Sequence, residues 1–234
     1  MTTGAIEARG LGVVIDGARI LTDVTVTLPQ RRIAVIGANG SGKSTFARTL
    51  NGLVAPTEGA VRVAGIDVAR EPRRARDAVG FLFTNPDAQL LMPTPGEDLA
   101  LSLRAAGTNR HDIAARVAAA LERFGLGERS DQPSYSLSGG QKQLLALAAV
   151  LVRRPRVVVA DEPTTLLDLG NARRMARLLL EGDERGPVAD QVVIVTHDLE
   201  LAARCDVALR FAGGRLVEAG DPEGVIFRYR AEFA

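Results

Sequence analysis

Cysteine is almost missing from this chain of 234 residues. Cys205 is the single one, which excludes an internal disulfide and fits a reducing compartment. An excess of either charge is missing too. Lys and Arg number 29 against 28 Asp and Glu, which leaves no electrostatic case for nucleic acid as the main partner. No stretch approaches the ~18 consecutive apolar residues that a bilayer-spanning helix needs. The opening MTTGAIEARG carries no apolar run of signal-peptide length. Any membrane link is therefore expected to run through a partner. Internal repeats and low-complexity linkers are absent, and no aromatic residue occurs before Phe46.

What is present suits one large domain. Apolar residues make up 46% of the chain and charged residues 24%, the balance of a globular protein that buries a core. AIEARGLGVVI and RILTDVTVTL alternate and carry β-branched residues, which predicts strands joined by a turn at Asp16-Gly17. RRIAVIG, GAVRVAG and VGFLF read as further strands, and SGKSTFARTLNGL as a helix closed by Gly52. From about Thr84 to Val152 the texture is helical. HDIAARVAAALERFGL places Ile113, Val117, Leu121 and Phe124 on one face. RVVVADEP and QVVIVTHD are apolar runs of buried-strand type, separated by the helical LGNARRMARLLLEGD. LELAARCD reads as a short helix, VALRFAGGRLVEAG as a hairpin turning at Gly213-Gly214, and Asp221-Pro222 as the start of a last helix. Buried strands alternating with helices predict an α/β fold with a parallel sheet. The helical stretch, residues 84–152, is then an insertion beside a core formed by 1–83 and 153–234.

GANGSGKS, residues 37–44, matches the pattern GxxxxGK followed by Ser or Thr, between a predicted strand and a predicted helix. Glycines let backbone N–H groups turn inward around phosphate oxygens, and a helix N-terminus adds a positive field. Lys43 reaches the β and γ phosphates in this reading. Ser44 ligates Mg2+, while Ser41 and Thr45 are supporting donors. VVVADE delivers Asp161 and Glu162 at the C-terminal end of a strand, where ligands of open parallel sheets bind. Asp161 suits the Mg2+ contact, and Glu162 a general base or a group that orients water. His197, in THD at the end of the next buried strand, is a candidate contact of the γ-phosphate. His111 and Cys205 are read as structural.

Phosphate loop, LSGGQ at 137–141, acidic strand end and THD occur here in that order. Together they resemble the ATP-binding cassette (ABC) ATPases over nearly the whole chain. The resemblance implies a P-loop NTPase fold: a RecA-like parallel core, an N-terminal antiparallel β subdomain and an inserted α-helical subdomain. It implies ATP hydrolysis with Mg2+. It also implies a head-to-tail dimer, in which Ser138, Gly139, Gly140 and Gln141 of one subunit cover ATP held by Asn39, Gly40, Ser41, Gly42, Lys43, Ser44 and Thr45 of the other. A homodimer is the first reading, and a heterodimer stays open. EPTTLLDL is similar to the family's loop that crosses the dimer, with Asp168 at its aspartate and Thr165 and Leu166 where Ser and Ala are usual.

Two places depart from the family pattern. Ile15 stands where an aromatic residue usually stacks on adenine, a loss of ~1 kcal/mol of stacking. Thr84 stands where a glutamine usually contacts Mg2+ or the attacking water, and Gln89 lies five residues on. TNPDAQLL resembles the NPDDQ stretch of ATPases from energy-coupling-factor (ECF) importers of vitamins and metal ions, and the biotin type is the nearest likeness. That implies an integral membrane scaffold protein and a substrate-binding membrane protein as partners, no nucleic acid, and a peripheral place on the cytoplasmic face of the membrane. The scaffold would dock near residues 85–100, where Leu90, Leu91 and Met92 mark either a contact patch or core. The alternatives are a cassette ATPase acting on nucleic acid or the ribosome, and a nucleotide switch that does not hydrolyse.

Overall fold

The computed structural model describes residues 5–233. β1 (Ile6–Ile15) and β2 (Ala18–Leu28) form an antiparallel hairpin around the Asp16-Gly17 turn. β4 (Glu58–Val63) and β5 (Ile66–Asp67) extend it to a four-stranded sheet of order β2-β1-β4-β5. The second sheet has six strands. β3 (Arg32–Ile36), β6 (Val79–Leu82), β7 (Val157–Asp161), β8 (Gln191–Val195) and β9 (Val207–Ala212) run parallel. β10 (Arg215–Gly220) closes one edge antiparallel to β9, and the order is β10-β9-β3-β8-β7-β6.

The alternation within these parallel strands decides what packs on each face. Ile33, Val35, Val157, Val159, Val193 and Val195 meet the antiparallel sheet and α1 (Lys43–Thr49), with Phe46 and Leu50 fully buried. Ala34, Ile36, Val158, Ala160, Val192 and Ile194 face the opposite way. There they pack with the core that includes α5 (Gly139–Leu151), α6 (Leu169–Glu181) and α7 (Leu199–Ala203). α3 (Pro95–Ala105) and α4 (Arg110–Arg123) pack on α5. α4 buries Ile113, Val117 and Leu121, with Phe124 at its C-cap, as their spacing predicts. Among the described residues, 84–152 hold α3, α4, α5 and short 3-10 turns but no strand. Residues 1–4 and 234, at the ends of the expected core, lie outside the described residues.

Two local readings differ. The helix expected from Ser41 begins at Lys43, because Gly42 is left-handed at its N-cap. PRRARD, which reads as a basic run, is the body of the helix α2 (Pro72–Ala78): Pro72 starts it, and Ala75 and Ala78 alone are buried. Arg73, Arg74 and Arg76 stay exposed. The last helix, α8 (Pro222–Ala231), starts as expected, with the Asp221 side chain accepting from Gly224 N at 3.1 Å.

The end of the sheet remote from the phosphate loop is fastened by one carboxylate. Asp206 accepts from Arg32 N at 2.8 Å and from Arg32 Nε at 3.0 Å, joining β3 to the start of β9. The Arg32 side chain holds the Asp206 carboxyl below its usual range, with burial opposing. A carboxylate depressed in the folded state stabilises above its unfolded pKa, and that contribution is lost as pH falls through the folded value. Asp206→Ala is expected to cost about 1–2 kcal/mol at pH 7. In thermal melts that difference should shrink as pH drops below about 4.

Candidate functional site

The C-terminal ends of β3, β7 and β8 converge on one shelf. The phosphate loop leaves β3 at Gly37 and enters α1 at Lys43. The β9–β10 turn holds it from outside, with Gly214 N donating to Ser41 O at 3.2 Å. Lys43 is buried, and its Nζ donates to Gly37 O and Ala38 O, both at 2.8 Å. The ammonium thus sits over the loop's own backbone. Burial pushes it below the usual lysine range, while the Glu162 and Asp161 carboxylates pull the other way. Asn39 and Gly40 are exposed at the tip of the loop, and Ser44 and Thr45 lie half-buried in the first turn of α1. Ser41 Oγ is buried without a hydrogen-bond partner. A loop with a sequestered cation, an unpartnered hydroxyl and free helix N–H groups fits a polyphosphate.

Ser44 Oγ donates to Asp161 Oδ1 at 2.8 Å, which joins two of the three expected Mg2+ ligands, Thr84 being the third, across 117 residues of sequence. A hydroxyl beside a carboxylate, with room for phosphate oxygens, is a donor set that Mg2+ accepts. Asp161 is almost fully buried, and burial pushes its carboxyl up. The Ser44 hydrogen bond and the Arg48 guanidinium, 3.7 Å away, act against that. For an acid raised in the folded state, stability falls as pH rises through the folded pKa. Asp161→Asn is therefore expected to raise the melting temperature of the ligand-free protein at pH 7. The gain should be roughly 0.5–2 kcal/mol. The same change should abolish any further gain from Mg2+ and nucleotide added together, and differential scanning calorimetry reads both.

Glu162 follows β7 with φ at +52°, a left-handed conformation unusual for a residue with a side chain. Glu162 N donates to Val195 O at 2.9 Å, fixing the turn against β8. Its Oε2 accepts from Thr165 Oγ1 at 2.9 Å and lies 2.8 Å from His197 Nδ1. The two expected catalytic side chains are thus in direct contact, with the carboxylate partly buried and the imidazole exposed.

Thr84 and Gln89 take other places than the family pattern implies. The Thr84 hydroxyl donates to Asp161 O at 2.8 Å, so its hydrogen braces the end of β7. Gln89 does not face the site. Its Oε1 accepts from Phe83 N at 3.2 Å and its Nε2 donates to Ala146 O at 3.2 Å, tying the loop to α5. Gln143 on α5 donates to Phe83 O at 3.1 Å, so the residue before Thr84 is clamped at both backbone groups. Ile15, at the end of β1, is 41% exposed and offers aliphatic surface.

LSGGQ forms the N-terminus of α5. Ser138 is its N-cap, with Gln141 N donating to Ser138 Oγ at 3.3 Å and Ser138 N to Gln141 Oε1 at 2.9 Å. Gln141 is therefore folded back into this capping box, and the outward donors are the Ser138 hydroxyl and the first N–H groups of the helix. Among the described residues, no hydrogen bond or ion pair joins this tip to the phosphate loop. The crossing loop lies beside the tip, with Asp168 capping α6 and Leu166 and Leu169 exposed. On another side, Leu91 and Tyr135 are 74% and 83% exposed around a groove of about 350 Å3, while Leu90 packs on the core. The apolar patch is thus Leu91 with Tyr135. Asp98 holds its shape, accepting from Leu91 N at 2.8 Å and Met92 N at 3.0 Å. Cys205 is buried and its thiol pushed up to about 12, which leaves it inert.

Arg48, Gln143 and Asp98 carry no role in the sequence reading, and Thr165 stands there only as a departure from the family's loop. Thr165 alone had a local signal, lying three residues after Glu162 in a turn.

Comparison with known proteins agrees with this geometry. The family model described as ABC transporter matches residues 21–165. The biotin transport ATP-binding protein BioM of Rhizobium etli is 40% identical over 215 residues, covering 92% of this chain and 93% of that protein. The energy-coupling factor transporter ATP-binding protein EcfA1 of Bacillus licheniformis is 39% identical over 194 residues, 82% of this chain and 68% of that protein. The structure of cbiO1 from Clostridium perfringens, part of the ABC transporter complex cbiONQ, superposes with a TM-score of 0.83 at 28% identity. It covers 97% of this chain and 92% of that one. The chain belongs to the ABC transporter family, as one of its ATP-binding and ATP-hydrolysing subunits.

Proposed function

We propose that the chain drives ECF-type uptake of biotin, by closing head to tail with a second ATPase subunit around ATP. The observation that carries this reading is the division of the site. The phosphate loop and the Ser138–Gly140 tip are both built on one chain, yet among the described residues no hydrogen bond or ion pair joins them. Two chains placed head to tail put each tip over the other's loop. An identical second copy is sufficient, because every element is present here.

Within each composite site, Lys43 neutralises the β and γ phosphates, and the backbone of Asn39, Gly40, Ser41 and Gly42 surrounds them, with Thr45 in support. Ile15 packs on adenine. Ser44 and Asp161 hold Mg2+, which when bound screens the phosphate charge. Thr84 holds Asp161 in place through its backbone rather than serving as a ligand. Glu162 takes the proton of the attacking water, and His197 faces the γ-phosphate. Ser138, Gly139 and Gly140 donate to the γ-phosphate from the partner, Gln141 shapes that tip, and Asp168 crosses to the partner's site.

The groove at Leu91 and Tyr135 receives a cytoplasmic helix of an integral membrane scaffold, and a separate substrate-binding membrane protein holds the vitamin. Among the described residues no helix is long and apolar enough to cross a membrane, which fits a subunit that attaches from one side. The BioM relative supports biotin as the transported substance. Proteoliposomes holding the chain with its membrane partners are expected to take up labelled biotin when ATP and magnesium are present. Uptake that is unchanged when Lys43→Ala replaces the wild-type chain overturns the reading.

A further inference from the structure

The two glycines of the tip are not equivalent. A methyl group added at Gly139 would have Leu166 O as its nearest neighbour, at 3.9 Å, an ordinary contact. One added at Gly140 would lie 2.4 Å from Asn171 Nδ2 and 2.5 Å from its Cγ. Gly140 is buried, and what covers it is the Asn171 amide. That amide has a second attachment. Asn171 Nδ2 donates to Asp168 Oδ2 at 2.6 Å, while Asn171 N donates to Asp168 Oδ1 at 2.9 Å. One short side chain therefore lies between Gly140 at the tip of α5 and the aspartate of the crossing loop, 28 residues apart in sequence.

We infer that Asn171 is a positioning residue that fixes the Ser138–Gly140 lid and the Asp168 loop of one chain to each other, so that both approach the partner as a single surface. This rests on the head-to-tail reading. The physical ground is geometric. The lid hangs on the N-terminus of α5 and the loop on the N-terminus of α6, with Ser138, Gly139, Thr165, Leu166 and Asp168 exposed. Besides the approach of Leu166 O to Gly139, they meet within a chain through the Asn171 amide, which packs on Gly140 on one side and donates to a carboxylate on the other. Charge-assisted hydrogen bonds of this kind have defined direction and length. Held together, lid and loop lose their relative freedom before the dimer forms rather than during it, which favours closure. The loop also carries Thr165, whose hydroxyl holds the Glu162 carboxylate of the same chain. A lid seated on the partner's nucleotide is thereby linked, through Asn171 and the loop, to the base of its own chain's site.

The test uses the full chain carrying Glu162→Gln, so that nucleotide stays intact. Sedimentation with ATP and magnesium reads dimer formation, and a fluorescent ATP analogue reads binding to the monomer. Asn171→Ala keeps the backbone cap of α6 and removes only the side-chain tie. Monomer binding should stay within about twofold, and the protein concentration for half-dimerisation should rise about tenfold, the effect of losing roughly one such interaction. Gly140→Ala should weaken dimerisation as well, and in the Asn171→Ala background it should add little, because the amide it collides with is gone. In the chain with Glu162 restored and membrane partners present, Asn171→Ala should bring the Hill coefficient for ATP towards one. Asn171→Ser, which retains a donor for Asp168, should lie between wild type and alanine, and it serves in place of alanine should that variant fail to fold. If the parent dimerises and Asn171→Ala does so equally well with unchanged cooperativity, the inference is overturned. If the parent itself stays monomeric with ATP, the head-to-tail reading falls first and the inference goes with it.

Discussion

Glu162→Gln is expected to lower the steady-state ATPase rate by roughly a hundred- to ten-thousand-fold while leaving nucleotide binding intact. The reasons are local. Among the described residues no hydrogen bond or ion pair joins the Glu162 side chain to the phosphate loop. The Glu162 backbone N–H is tied to β8 and its carbonyl to Thr165 N, and its side chain meets Thr165 and His197. A glutamine amide has nearly the same shape and can still accept from Thr165 through its oxygen, so the left-handed turn at 162 should survive. What it lacks is the ability to take a proton from water. kcat should therefore fall, and the nucleotide dissociation constant should not move beyond about twofold. Asp161→Asn, one residue earlier, should behave in the opposite way, losing magnesium-dependent affinity first. Phosphate release assays on both variants, beside equilibrium nucleotide binding, separate the two carboxylates. An unchanged rate in Glu162→Gln would remove this residue from the chemistry and leave the chain's hydrolysis to some other group.

Legibility from sequence followed the range of the interactions. The phosphate loop is a local object: a strand, a turn rich in glycine and a helix, all within about a dozen residues. Its residue types state its chemistry directly. The same holds for the carboxylate pair after β7 and for the capped tip at Ser138. The two-sided burial of β3, β7 and β8 was readable because four consecutive apolar residues fill each strand, with Arg32, Asp161 and Gln191 only at the ends. The contacts that join these pieces were not readable. Nothing in the string places Gln89 and Gln143 on the backbone of Phe83, since both act across 50 residues or more or fold back within a loop. A glutamine near a family glutamine position invites a catalytic role, but its two ends are already occupied by a strand and a helix. The basic stretch before β6 concealed α2, because only two alanines of that helix are buried and its remaining surface is arginine-rich. The left-handed backbone of Glu162 is also invisible in sequence, since no glycine marks it. In each case the missing information is a distance between segments, or a conformation imposed by packing on a residue that does not prefer it.

Gly37→Ala is expected to be the most damaging single methyl group in the phosphate loop. At φ of +142° the position already disfavours any side chain. A Cβ there would lie 2.2 Å from Phe211 O and 3.2 Å from Phe211 C, both backbone atoms of β9. Backbone cannot swing aside as the end of a long side chain can. β9 would have to part from β3 just beyond the Ile36–Arg210 pair. Phe211 also stacks on Phe46 of α1 with ring centres 5.1 Å apart, so the shift would reach the helix that carries Lys43 and Ser44. The Gly37 carbonyl is one of the two that hold Lys43 Nζ. The expected cost is about 3 kcal/mol or more, combining backbone strain with displaced strand pairing. For a chain of this size that is roughly 6–12 °C in melting temperature. Nucleotide affinity should fall by about tenfold or more, because ~1.4 kcal/mol of lost lysine positioning is already a factor of ten. Gly40→Ala is the control. Its Cβ would meet nothing within 4 Å, so the left-handed backbone is its main penalty, about 1–2 kcal/mol. If calorimetry finds the two variants equally stable, the close approach of β9 to the loop does not govern this site. A large difference that appears in melting but not in nucleotide binding would instead uncouple the position of Lys43 from the sheet beneath it.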